Sequence, residues 1–382
     1  KQVITVSGTN GKGSTIAYLS SILQQTGLRY GALTSPHFLH FNERISLQGV
    51  PVDDQLLCAT FARVNRARYQ ADDDPIPLTY FEFNALIAFD LMQRAQLDVA
   101  LLEIGLGGRL DAVNLIDADI AVLTSIGFDH QDWLGHELES IAREKAGIFR
   151  PGKPAICGDP TPPTSVTEYA GQIGAHLLCK GVEFDDSPHQ WRGLDTAGQP
   201  YGLNLPPVSL PNVNVAAAVQ AIKLLPFTIS DQAITKGLRQ ARLTGRFQIE
   251  TIAGKQVILD VAHNPQAAIH LASQLQNYPT TGQTWAVMAM LSDKDYVGVM
   301  EQLLPHINYW QLASTTGKRD LSADILGSVL VTMGVKDHVW KEYETVEAAF
   351  CNTIQRAANT DRILVFGSFV TVGAVLRQLK YF

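Results

Sequence analysis

The chain opens with strand-like alternation at Val3, Ile4, Thr5 and Val6, which runs into a turn built on Gly8, Gly11 and Gly13. A helical pattern follows, with Ile16, Leu19, Ile22 and Leu23 on one face and Gly27 as its stop. Residues 30–33 read as a short strand and 45–47 as a short alternating run, with a polar, aromatic loop through Arg44 between them. Asp53 and Asp54 fit a helix cap ahead of Leu57, Phe61 and Val64. Pro75 and Pro77 break the pattern before 79–82 opens another helix carrying Phe83, Leu86, Ile87, Phe89 and Leu91.

Residues 98–104 are an almost continuous apolar run that reaches a carboxylate at Glu103, the pattern of a parallel strand buried on both faces. A carboxylate at the carboxyl end of such a strand stands where open α/β sheets place their ligands. A second buried strand is expected at 120–125, a helix around 141–146 and a strand at 155–157. The stretch 181–211, with its Pro, Gly and Trp191, reads only as loop or short β. Helical signals return at 213–225 and 230–241, and Leu243-Thr244-Gly245-Arg246 has the look of a hinge. Beyond it, strands near 257–261, 285–290, 309–313 and 363–366 are interleaved with helices near 265–277, 296–304, 322–333 and 345–358, and a last helix closes the chain. Alternation of this kind argues for a second parallel sheet.

At 382 residues two domains are the default. A hydrophobic fraction of 46% and a charged fraction of 18% are those of a globular chain. The net charge of −7, with no basic block, argues against nucleic acid or an anionic membrane as the main partner. Any anionic substrate must therefore meet positive charge that is local to its site. Cys58, Cys157, Cys179 and Cys351 show no C-x-x-C spacing and read as free thiols in a reducing, cytoplasmic compartment. No apolar run reaches the roughly 18–20 residues of a membrane span, and no signal-peptide pattern is present. Nothing demands more than a monomer.

Strand, glycine turn and helix in this order make a phosphate cradle, because glycines let the main chain approach an anion and the first helical amides point at it. Lys12 would reach the β- and γ-phosphates, and a hydroxyl from Ser14 or Thr15 would face Mg²⁺. The general pattern is incomplete, since Val6 stands at the first glycine position and Gly13 follows the lysine. The architecture expected is α/β: an N-terminal P-loop ATPase domain with a mostly parallel sheet over 1–244, and a smaller C-terminal Rossmann-like α/β domain over 245–382. Glu103, His130 and Lys145 are the groups that could converge near the cradle, where a carboxylate and an imidazole can hold a divalent cation. Spacing alone leaves His130 open to being an ordinary hydrogen-bonded histidine and Lys145 a solvated helix residue.

Several long motifs together resemble folylpolyglutamate synthase, and more specifically the bifunctional bacterial enzyme that is also dihydrofolate synthase. They are residues 8–14 (GTNGKGS), 34–37 (TSPH), 79–82 (TYFE), 102–114 (LEIGLGGRLDAVN), 129–130 (DH), 144–149 (EKAGIF), 246–247 (RF) and 260–265 (DVAHNP). The resemblance implies an ATP site formed by Thr9, Asn10, Gly11, Lys12, Gly13, Ser14 and Thr15, with Asn214, Arg246 and Asp260 reaching the nucleotide across the domain gap. It implies two Mg²⁺ ions, Ser14 near the first, Glu103 bridging both, and His130 with Ser35 completing the second. A monovalent cation such as K⁺ stays open. Lys12, Glu103, His130 and Lys145 are the implied catalytic set, with Lys145 matching the family's carbamylated lysine, a role that needs a desolvated amine. Thr79, Tyr80, Phe81 and Glu82 with Leu110, Asp111 and Ala112 resemble the pteroate pocket, and His263, Asn264 and Ser368 are candidates for glutamate binding or domain closure.

Two departures stand out. Family members carry a segment ahead of the cradle that helps to bind pteroate, whereas this chain opens on the first strand, so a further N-terminal piece is expected. Val370 stands where the bifunctional relatives are expected to carry His. The reaction implied is ATP-dependent addition of L-glutamate to dihydropteroate, to folylglutamates, or to both, through an acyl phosphate. Two other readings share some of these features. One is a murein-precursor (Mur-type) amino-acid ligase, and the other is a nucleotide-binding switch protein without catalysis.

Overall fold

The computed structural model describes residues 1–69 and 74–379. The chain divides into two compact units, Lys1–Arg242 and Leu243–Phe382. The first begins with β1 (Gln2–Ser7), α1 (Lys12–Leu23), β2 (Tyr30–Leu33), β3 (Ile45–Leu47), β4 (Val50–Pro51), α2 (Asp54–Arg68) and α3 (Tyr80–Arg94). It continues through β5 (Val99–Glu103), β6 (Ile120–Leu123), α4 (Gln131–Leu134), α5 (Leu138–Ala146), β7 (Pro154–Cys157), α6 (Thr164–Ile173) and β8 (His176–Cys179). Three short strands follow, β9 (Asp185–Ser187), β10 (Gln190–Leu194) and β11 (Pro200–Asn204), and then α7 (Val215–Lys223) and α8 (Asp231–Gln240).

The main sheet of this unit has the order β4-β3-β2-β5-β1-β6-β7-β8. From β2 to β8 every neighbouring pair is parallel, and only β3 and β4 run antiparallel at the edge. All residues of β5 and β6 are buried, which is why their sequences, Glu103 apart, are apolar and show no alternation. The helix ends follow local chemistry. Asp53 accepts from the Leu56 amide at the start of α2, and Thr79 and Glu82 form a reciprocal capping box at the start of α3.

The second unit holds β12 (Gln248–Ile252), β13 (Lys255–Leu259), α9 (Pro265–Asn277), β14 (Thr284–Met288), α10 (Tyr296–Leu303), β15 (Tyr309–Ala313) and α11 (Ala323–Thr332). It ends with β16 (Trp340–Tyr343), α12 (Val346–Arg356), β17 (Arg362–Phe366) and α13 (Phe369–Gln378). Its sheet order is β12-β13-β17-β14-β15-β16, parallel except for the edge hairpin of β12 with β13. Both units are therefore α/β with mostly parallel sheets.

The structure adds what periodicity did not reveal. Within 181–211 lies an antiparallel three-stranded sheet, β11-β10-β9. Trp191 anchors it, fully buried, with its indole N–H donating to Ala216 O at 3.1 Å on α7. The edge strands β8, β12 and β16 and helix α6 also went unmarked. Edge strands with exposed positions carry a weak apolar signal, since one side has no neighbour to bury it. None of the described helices is long and apolar enough to cross a membrane.

Candidate active site

Strands β2, β5, β1 and β6 lie side by side and parallel, so the four loops that follow them emerge at one edge of the sheet. The loop after β1 is the glycine turn. Gly8 and Gly11 have φ of +148° and +91°, which side chains rarely adopt. A methyl on Gly8 would overlap the Thr124 hydroxyl, and one on Gly11 would overlap the side-chain amide of Asn214. The loop after β6 staples the turn in place. Thr9 N donates to Ser125 O at 2.7 Å, Thr9 Oγ1 donates to Gly127 O at 3.0 Å, and Thr124 Oγ1 donates to Asn10 O at 2.7 Å.

Lys12 is the first residue of α1, and its ammonium folds back on the Gly8 and Thr9 carbonyls at 2.8 and 3.3 Å. Thr15 Oγ1 bonds to the Gly11 carbonyl at 2.9 Å, so of the two first-turn hydroxyls the one left to face a cation is that of Ser14. Asn214 lies in the short 3₁₀ turn before α7, within the same unit as the cradle and pressed against Gly11. It therefore stands apart from Arg246 and Asp260, with which it was grouped on sequence, because those two belong to the second unit.

Lys145 projects from α5 and is only 3% exposed, with Nζ donating to the same Gly8 carbonyl at 3.2 Å. Burial, reinforced by the nearby Lys12 charge, pushes its pKa down to about 7, with Asp129 pulling the other way. On sequence Asp129 entered only as part of the 129–130 motif and was given no role of its own. Its carboxylate accepts from the His130 amide at 2.9 Å and lies 3.7 Å from His130 Nε2. His130 has a left-handed backbone, φ 52°, and caps the short helix α4 with its side chain partly exposed. Gly8, Thr9, Lys12, Asp129, His130 and Lys145 line one small cleft with 104–107. Its space of about 20 Å³ matches one water or a bare cation.

Glu103, the last residue of β5, is 5% exposed and accepts from the Ser35 amide at 3.1 Å, just ahead of the cis Ser35–Pro36 peptide. Among the described residues no three His, Cys, Asp or Glu side chains cluster as a ready metal site. A cation beside Glu103 would therefore need hydroxyl or phosphate oxygens to complete its shell.

The loop after β5 is shaped by Asp111, whose buried carboxylate accepts from the Gly105, Leu106 and Val113 amides at 3.1, 2.9 and 2.8 Å. Burial raises its pKa against those bonds. Asp111 thus builds the loop from within, and Thr79 with Glu82 caps α3, so three of the residues matched to the pteroate pocket hold backbone in place. Phe81 is placed differently. Its ring lies against Gly105, where any side chain would collide with it. Tyr80 and Leu110 are exposed and Ala112 is half-buried.

In the second unit the loops after the neighbouring strands β13 and β17 carry the remaining candidates. Asp260 is buried and accepts from the Phe247 and Ala262 amides at 2.8 Å each. Burial raises its pKa, with Arg246 opposing. The Arg246 guanidinium lies over the Phe369 ring at 5.2 Å. His263 Nδ1 donates to Val261 O at 2.7 Å. Asn264 and Ser368 act as caps of α9 and α13, accepting from Ala267 N and Thr371 N. Val370 is exposed on the first turn of α13.

Comparison with known proteins gives the family. Residues 245–369 match the Mur ligase, glutamate ligase domain. The chain is 43% identical over 379 residues to the dihydrofolate synthase/folylpolyglutamate synthase of Escherichia coli K12, covering 99% of this chain and 86% of that protein. The Haemophilus influenzae protein of the same name is 38% identical over 391 residues, covering 97% of this chain and 87% of its own length. This chain belongs to the dihydrofolate synthase/folylpolyglutamate synthase family. Membership makes it an ATP-dependent ligase of folate metabolism. The fold agrees. The E. coli FolC structure in complex with DHPP and ADP superposes with a TM-score of 0.90 at 41% identity, covering 100% of this chain and 89% of that one. A bifunctional folylpolyglutamate synthase/dihydrofolate synthase with Mn, AMPPNP and L-glutamate bound gives 0.90 at 40%, covering 99% and 89%.

Proposed function

We propose that this chain joins L-glutamate to dihydropteroate and to folylglutamates, using ATP to activate the acceptor carboxylate, in the cytoplasm where its thiols stay reduced. The observation that carries the reading is the meeting of Lys12 and Lys145 on one carbonyl, Gly8 O, at 2.8 and 3.2 Å. A lysine at the head of a helix that begins in a glycine turn suits a triphosphate, toward which Lys12 would swing from its own loop. Lys145 is buried beside it with a pKa near 7, so much of it is the neutral amine that CO₂ can take up as a carbamate.

The acceptor carboxylate oxygen attacks the γ-phosphorus, the bond to the ADP oxygen breaks, and an acyl phosphate forms. Two anions must approach for this to happen. Lys12 and the cradle amides spread the charge, and Ser14, Glu103, Ser35 and His130 are the side chains offered to divalent metal. Bound Mg²⁺ would supply charge neutralisation at the transferring phosphoryl group. The glutamate amine then attacks the acyl carbon, phosphate departs and the amine loses a proton. Phe81 offers its ring, braced by Gly105, as a stacking face for the pterin. In the second unit Arg246 and Asp260 are assigned to the nucleotide and His263, Asn264 and Ser368 to glutamate or closure. A buried amine has no evident use in a switch protein, which is why ligation is preferred to that alternative.

The test is phosphate release with dihydropteroate and with tetrahydrofolate, each supplied separately with glutamate and ATP. Release that requires both pterin substrate and glutamate supports ligation. Release that ignores either one removes it.

A further inference from the structure

The cleft beside the glycine turn already holds ammonium groups. Those of Lys12 and Lys145 converge on the Gly8 carbonyl, at 2.8 and 3.2 Å. Asp129 is the one acidic side chain among the described residues that line this cleft. Its side chain is 11% exposed, and its charge is felt at Lys145. One carboxylate oxygen accepts from the His130 amide at 2.9 Å, and the other is 3.7 Å from His130 Nε2, too far for a hydrogen bond. A carboxylate offers about four lone-pair sites, so the bond to the amide does not exhaust it.

In the folate-ligase reading, catalysis takes both ammonium groups away from this cleft. Lys12 would swing to the triphosphate, and Lys145 would become an anionic carbamate. Asp129 would then border a space of about 20 Å³ from which two positive charges have gone. A mostly buried carboxylate that loses nearby positive charge is costly unless another cation replaces it. Mg²⁺ suits so small a space poorly, because it dehydrates reluctantly and keeps several of its waters. A substrate ammonium group is water-sized, has three donors and meets the same kind of acceptor that now holds Lys12 and Lys145. Incoming glutamate carries such a group, which must be seated beside the acyl carbon before it can attack. We propose that Asp129, with the Gly8 carbonyl, forms the subsite for the amino group of incoming L-glutamate. The inference rests on the folate-ligase reading and deepens it by separating the seat of the nucleophile from phosphoryl transfer.

Hydroxylamine separates the two, since it is mostly uncharged at neutral pH and needs no anionic seat. Its nitrogen bonds to the acyl carbon, the bond from that carbon to phosphate breaks, the nitrogen loses a proton and a hydroxamate forms. Each enzyme is assayed with dihydropteroate, ATP and Mg²⁺, taking either glutamate or hydroxylamine as the nucleophile. Asp129→Asn keeps an oxygen for the His130 amide and removes the charge. It should lower kcat/KM for glutamate roughly 10- to 100-fold, as expected for loss of a charge-assisted pair. Hydroxamate formation, the KM for ATP and the affinity for Mn²⁺, read by electron paramagnetic resonance, should each change by less than about threefold. Asp129→Glu, which keeps the charge but moves it, should fall between for glutamate. Thermal unfolding checks that each variant is folded, and if Asp129→Asn is not, Asp129→Glu carries the comparison. Equal loss with both nucleophiles, an unchanged kcat/KM for glutamate, or a loss that follows weakened Mn²⁺ binding overturns the subsite. Failure of the wild-type enzyme to release phosphate with either nucleophile would instead remove the ligase reading itself.

Discussion

Lys145 Nζ and Gly8 O are 3.2 Å apart although 137 residues separate them in the chain. The contact ties helix α5 to the glycine turn and places a buried amine beside the lysine that would meet the phosphates. Most of the chemistry expected of this protein depends on that approach.

Lys12→Ala should lower kcat by about 10²–10³-fold or more, the usual cost of removing one preorganised donor to transition-state charge. The fold should persist, because the lysine's bonds to the Gly8 and Thr9 carbonyls are partly buried contacts within its own loop. Steady-state turnover alongside thermal unfolding checks this, and undiminished turnover would end the phosphate role.

The folded pKa of Lys145, about 7, lies below its ordinary value of 10.5. Between those values the unfolded chain binds the proton more tightly, so an unmodified Lys145 destabilises the fold below pH 7. Stability should rise as pH climbs from 7 toward 10.5. Carbamate needs the neutral amine, so incorporation of ¹³C from labelled bicarbonate should also increase as pH passes 7. CO₂-depleted enzyme should lose activity and regain it with bicarbonate. No label at any pH, together with full activity of Lys145→Ala, would remove the assignment.

Phe81→Ala should raise the KM for pterin substrate roughly tenfold, the scale of a lost aromatic stacking face, with little change for ATP. Gly105→Ala should act in the same direction, because the new methyl would collide with the Phe81 ring. A change confined to the KM for ATP would contradict the pocket.

Gly11→Ala should weaken ADP binding by roughly 5- to 30-fold, since a left-handed backbone costs about 1–2 kcal/mol for a residue with a side chain. Overlap with Asn214 adds to that cost, so Gly11→Ala combined with Asn214→Ala should recover only part of the loss. Calorimetry of ADP against the three proteins decides it, and wild-type affinity in Gly11→Ala would show that the turn does not hold the nucleotide.

The amino-acid sequence by itself determined the features that are written locally. The glycine turn with Lys12, the apolar run ending at Glu103, the capping residues Asp53 and Thr79, and the strand at Tyr309–Ala313 are all set by neighbours a few positions away. Periodicity and capping report such short-range preferences directly. Tertiary structure decided everything that depends on distance across the fold. The order β2-β5-β1-β6 brought Ser35 to Glu103 at the strand ends, and the packing of the first unit set Asp129 and Lys145 along the cleft at the glycine turn and Asn214 against Gly11. Burial among those neighbours, which no spacing encodes, gave Lys145 its pKa. The physical reason is that desolvation and charge coupling belong to an arrangement in space, and a one-dimensional pattern carries them only after the sheet has closed.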